Sequence, residues 1–309
     1  MIIRPTTNWF RMLFVWDGSV LQAIIPQLLL MLVVSSLALL TDGRIFGVKI
    51  PLDTAPFPMV GISLAIFLGF RNNASYARFV EARHIWGQLL IAARALASQA
   101  ITYLPRETSG LDHELLMNRL IAFVYALKHQ LRQTDPQEDL ARYLPAEEVQ
   151  RLQGLSFKPV AVLHTVRAML HDAVQRQPGQ PGQAQLLWML DTQLNDLAAT
   201  VAGCERIKNT PIPYPYGVLV HRTVYMYCFL LPLGLVDAIG VATPLISVFV
   251  AYTLFALEAI AQQIAEPFGL APNCLALNAM TRETERSLLE LHGDPLPPSI
   301  RPCPRYQIN

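Results

Sequence analysis

Apolar residues are gathered into long runs along this chain. From Leu21 to Leu40 there are twenty residues without a formal charge, and as an α-helix they would extend about 30 Å, the thickness of a bilayer's hydrocarbon core. A second uncharged run, Ala55 to Phe70, opens with Pro56 and Pro58, and proline suits the first turn of a helix. The pattern predicts two helices that enter a membrane.

Two further apolar runs occur near the end of the chain, Thr223 to Val236 and Ala238 to Leu257, separated by Asp237. They predict a hairpin of two more spans. The segment TPIPYPY, Thr210 to Tyr216, predicts an extended approach to this hairpin. The four predicted spans cover residues 21–40, 55–70, 223–236 and 238–257.

The remaining sequence has the spacing of amphipathic helices. The periodicity of the second run continues to Leu90, which predicts one long helix that leaves the membrane. Between Pro105 and Lys208, apolar residues recur at three and four positions, and we expect helices and no strands there. The runs that show this are Leu116 to Leu131, Val160 to Leu170 and Leu186 to Leu197.

The segment QRQPGQPGQ, Gln175 to Gln183, is rich in residues that break helices, so it predicts a loop. The fold predicted is an all-α membrane protein, with the spans interleaved with a cytoplasmic helical region at about residues 71–222 and 258–309. We expect one structural subunit over residues 1–309 and no independent domains.

Composition and charge support the membrane class. Hydrophobic residues make up 52% of the chain and charged residues 15%, with a mean hydropathy of +0.33, which is too apolar for an ordinary soluble domain. The 24 basic residues nearly cancel the 23 acidic ones. Nucleic acid is excluded as a partner, because binding it requires a concentrated basic surface.

Basic residues favour the cytoplasmic side of a membrane. Those that flank the second and third predicted spans are Arg71, Arg78, Arg83, Arg94, Lys208 and Arg222. The central helical region is therefore expected in the cytoplasm, and four spans place both termini there too. Arg44 and Lys49, in the loop after the first span, weaken the contrast. The first run is too long for a signal peptide and lacks its cleavage pattern.

Motifs for catalysis and for tight metal binding are missing from the sequence. There is no Ser-His-Asp arrangement and no phosphate-binding glycine loop, so we predict that the protein is not an enzyme. The cysteines Cys204, Cys228, Cys274 and Cys303 are widely separated and are expected to be free thiols. His164 and His171 lie near Asp172, but this loose spacing is more typical of a solvated helix surface. No cofactor is expected.

One stripe of the second span could line a passage. Ile62, Ile66 and Phe70 recur every four residues and project from one helical face, with Asn73 below them on the same side. Three small residues form the adjacent stripe, which would let neighbouring helices approach closely. They are Gly61, Ala65 and Gly69. Around a symmetry axis the bulky stripe would form a hydrophobic constriction, while the alternative is ordinary packing against another helix.

Four segments carry a resemblance to a known family. They are NWFRMLFVWDGSVL (Asn8 to Leu21), FLGFRNNASYARFVEARHIWG (Phe67 to Gly87), LLPLGLVD (Leu230 to Asp237) and IAEPFG (Ile264 to Gly269). The chain resembles the bestrophin family, in its bacterial branch, up to about Asn278. The resemblance implies a homopentamer in a bacterial inner membrane, with one axial pore and its neck at Ile62, Ile66 and Phe70.

The resemblance also implies a second, cytoplasmic aperture, which we place near Pro178 and Gln180. Relatives carry an aliphatic residue there, so its absence predicts a wider or more polar exit. Animal relatives have a calcium clasp built by acidic residues after the Pro-Phe-Gly motif, whereas Leu270 to Leu277 contains no carboxylate. Calcium requires several hard oxygen ligands, so no clasp is expected.

Ion selectivity is the point on which this family divides. Bacterial relatives resemble monovalent cation channels, so a passive, sodium-selective channel gated by its hydrophobic neck is the first hypothesis. A chloride or other anion channel of the same architecture is the second, and a membrane scaffold for a cytoplasmic partner is the third. Arg71 is assigned to an interface or to snorkelling, and Glu258 to the surface or to an interface. Trp9, Trp16 and Trp86 fit either a membrane interface or a core.

Overall fold

The computed structural model describes residues 1–3, 8–45, 48–49, 52, 54–177, 182–303 and 306–308. These residues are predominantly helical, which confirms the predicted fold class. The helices are α1 (Trp9–Met12), α2 (Leu21–Leu40), α3 (Pro56–Tyr103), α4 (Arg106–Ser109), α5 (His113–Arg132), α6 (Gln137–Ala141), α7 (Ala146–Gln153), α8 (Lys158–Gln175), α9 (Gln183–Asn209), α10 (Tyr214–Ile239), α11 (Thr243–Ala265) and α12 (Leu277–His292). Two short strands, β1 (Arg44–Ile45) and β2 (Val48–Lys49), form an antiparallel pair in the loop after α2.

The chain divides into two compact units, each built from separated segments. One consists of Arg4–Phe79 and Pro211–Pro267, and we call it the span unit. The other consists of Met1–Ile3, Val80–Thr210 and Phe268–Asn309, and we call it the amphipathic unit. Helix α3 contributes its first part to the span unit and its second part to the amphipathic unit, so neither unit is a continuous stretch of sequence.

Four helices of the span unit share one apolar core. Helices α2, α10 and α11 pack against one another, and α3 adds Leu64 and Leu68 to the same cluster. The other buried members of this cluster are Ile24, Met31, Val220, Val224, Cys228, Ala251, Leu254 and Phe255. The predicted hairpin of the last two spans is present as α10 and α11.

The ends of these helices differ from the prediction. Helix α10 begins at Tyr214, so the last three residues of the supposed extended segment are helical. The break between α10 and α11 is a 3₁₀ turn at Gly240–Ala242 and does not lie at Asp237. Gly240 has a φ of 51°, a backbone conformation that is low in energy for glycine because it has no Cβ. Asp237 lies on the helix surface, and its carboxylate pairs with Lys49 at 2.8 Å.

Two stretches among the described residues are long and apolar enough to cross a membrane. Leu21–Leu40 has a mean hydropathy of 2.4, and Tyr214–Ala265, which contains α10, the 3₁₀ turn and α11, has 2.0. The apolar start of α3 does not join this set, because the charged and polar residues from Arg71 onward follow it closely. Its membrane crossing stays a prediction.

The amphipathic unit is arranged around α5. Helices α8, α9 and α12 contact α5, and α8 also packs on α9. Every residue from Leu120 to Lys128 is buried, so α5 is covered on all sides, as a central helix must be. The three runs predicted to be helical are confirmed as α5, α8 and α9.

A buried carboxylate links α12 to α5 in the amphipathic unit. Glu285 is 2% exposed and accepts hydrogen bonds from the hydroxyl groups of Tyr125 at 2.5 Å and Tyr143 at 2.7 Å. Arg282 supplies a positive charge at 3.3 Å. Burial, followed by the hydrogen bond to Glu285, raises the pKa of both tyrosines. Their hydroxyl groups therefore remain protonated donors to this carboxylate.

The two ends of the chain meet in the amphipathic unit. Ile2 and Gln307 form an antiparallel bridge, and the α-amino group of Met1 donates to the carbonyl oxygen of Ile308 at 2.6 Å. The amide of Ile3 donates to the carbonyl oxygen of Tyr306 at 2.9 Å. These hydrogen bonds join residues 1–3 to residues 306–308 within one unit.

Glu285→Ala is expected to destabilise the amphipathic unit by roughly 2–3 kcal/mol, because it leaves two tyrosine hydroxyls and an arginine without their acceptor. Thermal unfolding in detergent measures this effect as a lower melting temperature. Glu290→Ala, at an exposed position of the same helix, is the matched control. Equal melting temperatures for the two variants would contradict the role given to Glu285.

Candidate pore-lining site

The proposed neck stripe lies on the exposed side of α3. Ile62, Ile66 and Phe70 are 63%, 52% and 63% exposed, and each lies about 40° further round the helix than the one before it. Asn73 is exposed one turn below them. Leu64 and Leu68, on the other side of α3, are buried in the core of the span unit. The stripe therefore faces away from the chain's own core.

The stripe of small residues is divided between two environments. A Cβ on Gly61 would lie 3.0 Å from the hydroxyl oxygen of Tyr227, so α3 and α10 approach each other closely there. Ala65 is exposed, and a Cβ on Gly69 would meet no atom within 4 Å. Only the upper end of this stripe packs within the chain.

Below the stripe, polar groups of α3 bind α10 and α11. The amide of Asn72 donates to the carbonyl oxygen of Leu257 at 3.3 Å, and the guanidinium of Arg78 donates to that of Ala265 at 3.1 Å. From α10, the hydroxyl group of Tyr216 donates to the carbonyl oxygen of Phe67 at 2.9 Å. We call these contacts, together with the ion pair described next, the polar clamp.

The centre of the polar clamp is a buried ion pair. The guanidinium of Arg71 lies 3.3 Å from the carboxylate of Glu258, and the two side chains are 13% and 11% exposed. His221 of α10 contacts the same carboxylate oxygen through Nδ1 at 2.8 Å. A charge in this apolar unit is costly unless it is paired, so the three side chains hold α3, α10 and α11 together.

Of the two places predicted for Glu258, the surface is wrong, because this residue of α11 is 8% exposed. The guanidinium of Arg71 pairs with its carboxylate, so Arg71 lies between α3 and α11. A signal was present, because Glu258 is the only acidic or basic residue in α11. A lone charge in an apolar helix predicts a buried partner. The partner's identity could not be found, because 187 positions separate the two residues.

A cavity of about 590 Å³ adjoins the polar clamp in the span unit. Arg71, His221 and Glu258 form part of its wall, together with Gln262 and Arg222. Charges of both signs line it, so it does not present a uniform field to an ion.

The structure describes most, but not all, of the other residues that the sequence singled out. Pro178 and Gln180, assigned to the cytoplasmic aperture, lie outside the described residues. All four cysteines are free thiols, and burial raises the pKa of the Cys204 thiol to about 12.

Within the described ranges, no three metal-binding side chains come together, and this holds for His164 and His171 as well. Trp86 is buried at 1% exposure, whereas Trp9 and Trp16 are exposed.

The fold and the exposed apolar stripe define a helical membrane protein. A comparison with known proteins shows that residues 1–290 match the family of bacterial and fungal bestrophins. The chain belongs to the bestrophin family. The curated relatives reported below are named as channel-forming proteins, as predicted, and not as enzymes.

Curated relatives are similar over nearly the whole chain. A voltage-dependent anion channel-forming protein of Ralstonia nicotianae is 45% identical over 298 residues, which are 96% of this chain and 95% of that protein. The voltage-dependent anion channel-forming protein YneE of Salmonella typhi is 40% identical over 311 residues, and the alignment covers 100% of both proteins.

A solved structure supports the same family. The crystal structure of a bacterial bestrophin homologue from Klebsiella pneumoniae superposes with a TM-score of 0.82 at 40% sequence identity. The match covers 88% of this chain and 99% of that one.

Glu258→Gln is expected to lower the stability of the span unit by roughly 3 kcal/mol, because Arg71 would remain buried without a counter-charge. Removing both charges in Arg71→Met/Glu258→Leu should recover much of that loss. The measurement is thermal unfolding in detergent of the wild type, Glu258→Gln, Arg71→Met, Glu258→Leu and the double variant.

Asp237→Asn is the control for this cycle, since it breaks the Lys49–Asp237 pair, whose side chains are 47% and 55% exposed. Exposed pairs contribute little to stability, so its melting temperature should stay near that of the wild type. If Glu258→Gln and Asp237→Asn shift the melting temperature equally, the polar clamp does not carry the stability assigned to it.

Proposed function

We propose that this protein is a subunit of a homopentameric, passive channel for monovalent ions. Five copies of α3 surround one axis, and Ile62, Ile66 and Phe70 form three successive apolar rings at its neck. Asn73 supplies a polar ring below them. A narrow apolar passage offers an ion nothing in place of its hydration shell, so this neck closes the pore when it loses its water.

The observation that carries this proposal is the exposed apolar face of α3. Besides the three neck residues, Met59, Val60 and Phe67 are 74%, 39% and 44% exposed. An apolar recess of about 240 Å³ adjoins them, with Leu219 in its opposite wall. Apolar surface of this extent favours burial against another protein surface or lipid. Neighbouring copies of the chain would cover the flanks and leave the neck stripe facing the axis.

Ala65 and Gly69 support close contact between copies. Both small residues lie beside the neck stripe and are exposed in the single chain. Small residues allow neighbouring helices to approach until their backbones nearly touch. Symmetric repetition around an axis then builds a pore that one subunit cannot enclose alone.

The proposed location is a bacterial inner membrane, with four spans per subunit and both termini in the cytoplasm. The pairing of Met1–Ile3 with Tyr306–Ile308 supports this arrangement, because two ends on one side require an even number of crossings. The basic residues that follow the second span and precede the third favour the cytoplasm for that side. Lipids and other copies of the chain are the partners.

For selectivity, we propose monovalent cations, with sodium as the physiological example. The neck itself does not distinguish the sign of an ion, and the positive charge nearest to it along the chain, Arg71, is paired with Glu258. This position therefore carries no unpaired positive charge that would attract anions or repel cations. The anion channel is the second candidate, and the names of the curated relatives favour it.

Ile66→Ala is expected to raise single-channel conductance, because removing the side chain from the middle ring widens the neck and lets water enter it. Planar bilayer recording of the purified channel measures the change. Leu37→Ala is the matched control, since it removes a similar volume from an exposed position of α2. A folded Ile66→Ala channel with wild-type conductance would remove α3 from the pore lining.

The permeant ion is measured by the reversal potential in asymmetric sodium chloride. A cation channel should reverse near the sodium equilibrium potential. A reversal near the chloride equilibrium potential would replace the cation proposal by the anion candidate. Absence of current in the wild type and in Ile66→Ala would instead favour the scaffold hypothesis.

A further inference from the structure

Residues 8–16, which we call the aromatic segment, expose large apolar side chains in the span unit. Between 52% and 75% of each is exposed. They are Trp9, Phe10, Met12, Leu13, Phe14 and Trp16. None of them belongs to the buried core cluster that the described helices of this unit share. Contiguous apolar surface of this kind marks a site of interaction.

The aromatic rings of this segment contact one another. Trp9 and Phe10 have ring centroids 5.8 Å apart in an edge-to-face arrangement, and Phe10 and Phe14 are 5.4 Å apart in a similar arrangement. The rings therefore form a patch with internal order, and its outer face is open.

The aromatic segment is continuous with a membrane span. Trp16 precedes Leu21, the first residue of α2, by five positions, so even a fully extended connection would be at most about 17 Å long. Exposed apolar side chains continue along α2. They are Leu29, Leu30, Leu32, Val33, Leu37 and Leu40. The patch lies beside the point at which the chain enters the bilayer.

The chemistry of the patch matches the boundary between lipid headgroups and acyl chains. Tryptophan concentrates at this boundary because it combines a large apolar ring with a polar N–H group. Helix α1 has four residues, far fewer than the roughly 20 that a span requires. The segment is therefore suited to lie along the membrane surface and cannot cross it as a helix.

We infer that the aromatic segment is an interfacial anchor, which binds the headgroup–acyl boundary on the side of the bilayer from which α2 enters. Its side chains enter the outer part of the apolar layer, by about 5–10 Å. The anchor fixes the depth of the N-terminal end of α2. Its ligand is the lipid surface itself, and the inference is independent of the permeant ion and of the number of subunits.

The test uses tryptophan fluorescence of the full-length protein in phosphatidylcholine vesicles whose acyl chains carry bromine, a contact quencher. The chain has four tryptophans, of which Trp86 is buried and Trp188, in the amphipathic unit, is 74% exposed. Wild-type emission should fall in brominated vesicles. In Trp9→Phe/Trp16→Phe the quenching should be lost, since the tryptophans at the interface are gone.

Trp188→Phe is the matched control. It removes an equally exposed tryptophan that is not part of the patch, so the quenched fraction should rise above the wild-type value. Bromine placed near the headgroup end of the acyl chain should also quench the wild type more than bromine near the bilayer centre. This comparison requires no substitution, so it decides the depth even where the double variant fails to fold.

Two results would overturn the inference. One is equal quenching of the wild type and a correctly folded Trp9→Phe/Trp16→Phe variant. The other is the absence of quenching in the wild type together with disulfide cross-linking of Phe14→Cys between copies of the chain. The second result would assign the patch to contact between subunits.

Discussion

The ion pair between Arg71 and Glu258 is the constraint on which the arrangement of α3 depends. Both side chains are largely buried beside an apolar core, and neither charge can be left unpaired there without a large cost. Their pairing fixes the rotation of α3 about its axis, because Arg71 must point towards α11. With that rotation set, Leu64 and Leu68 enter the core and the neck stripe faces outward.

This constraint lies one residue after Phe70, at the lower end of the proposed neck. The hydrogen bonds of Asn72, Arg78 and Tyr216 act in the same direction, so one side of α3 is bound by polar contacts while the opposite side is free. A helix held in this way keeps its apolar stripe at a constant rotation about the helix axis. The same pairing offsets the charge of Arg71 within the span unit.

The amphipathic unit also buries a carboxylate, but with different partners. Its buried carboxylate, Glu285, is satisfied by two tyrosine hydroxyls as well as by Arg282, and it joins α12 to the central helix α5. In both units, therefore, a buried acidic side chain links helices distant in sequence.

The apolar runs by themselves determined the helical class, the long helix α3, the hairpin of α10 and α11, and the stripe of Ile62, Ile66 and Phe70, since all of these follow from residue spacing within one element. Family resemblance added the channel hypothesis. Tertiary structure decided which residues satisfy Glu258, that α10 begins at Tyr214, and that Trp86 is buried while Trp9 and Trp16 are exposed. Those outcomes depend on contacts between residues far apart in the chain, and the spacing within a helix carries no information about which distant partner its side chains meet.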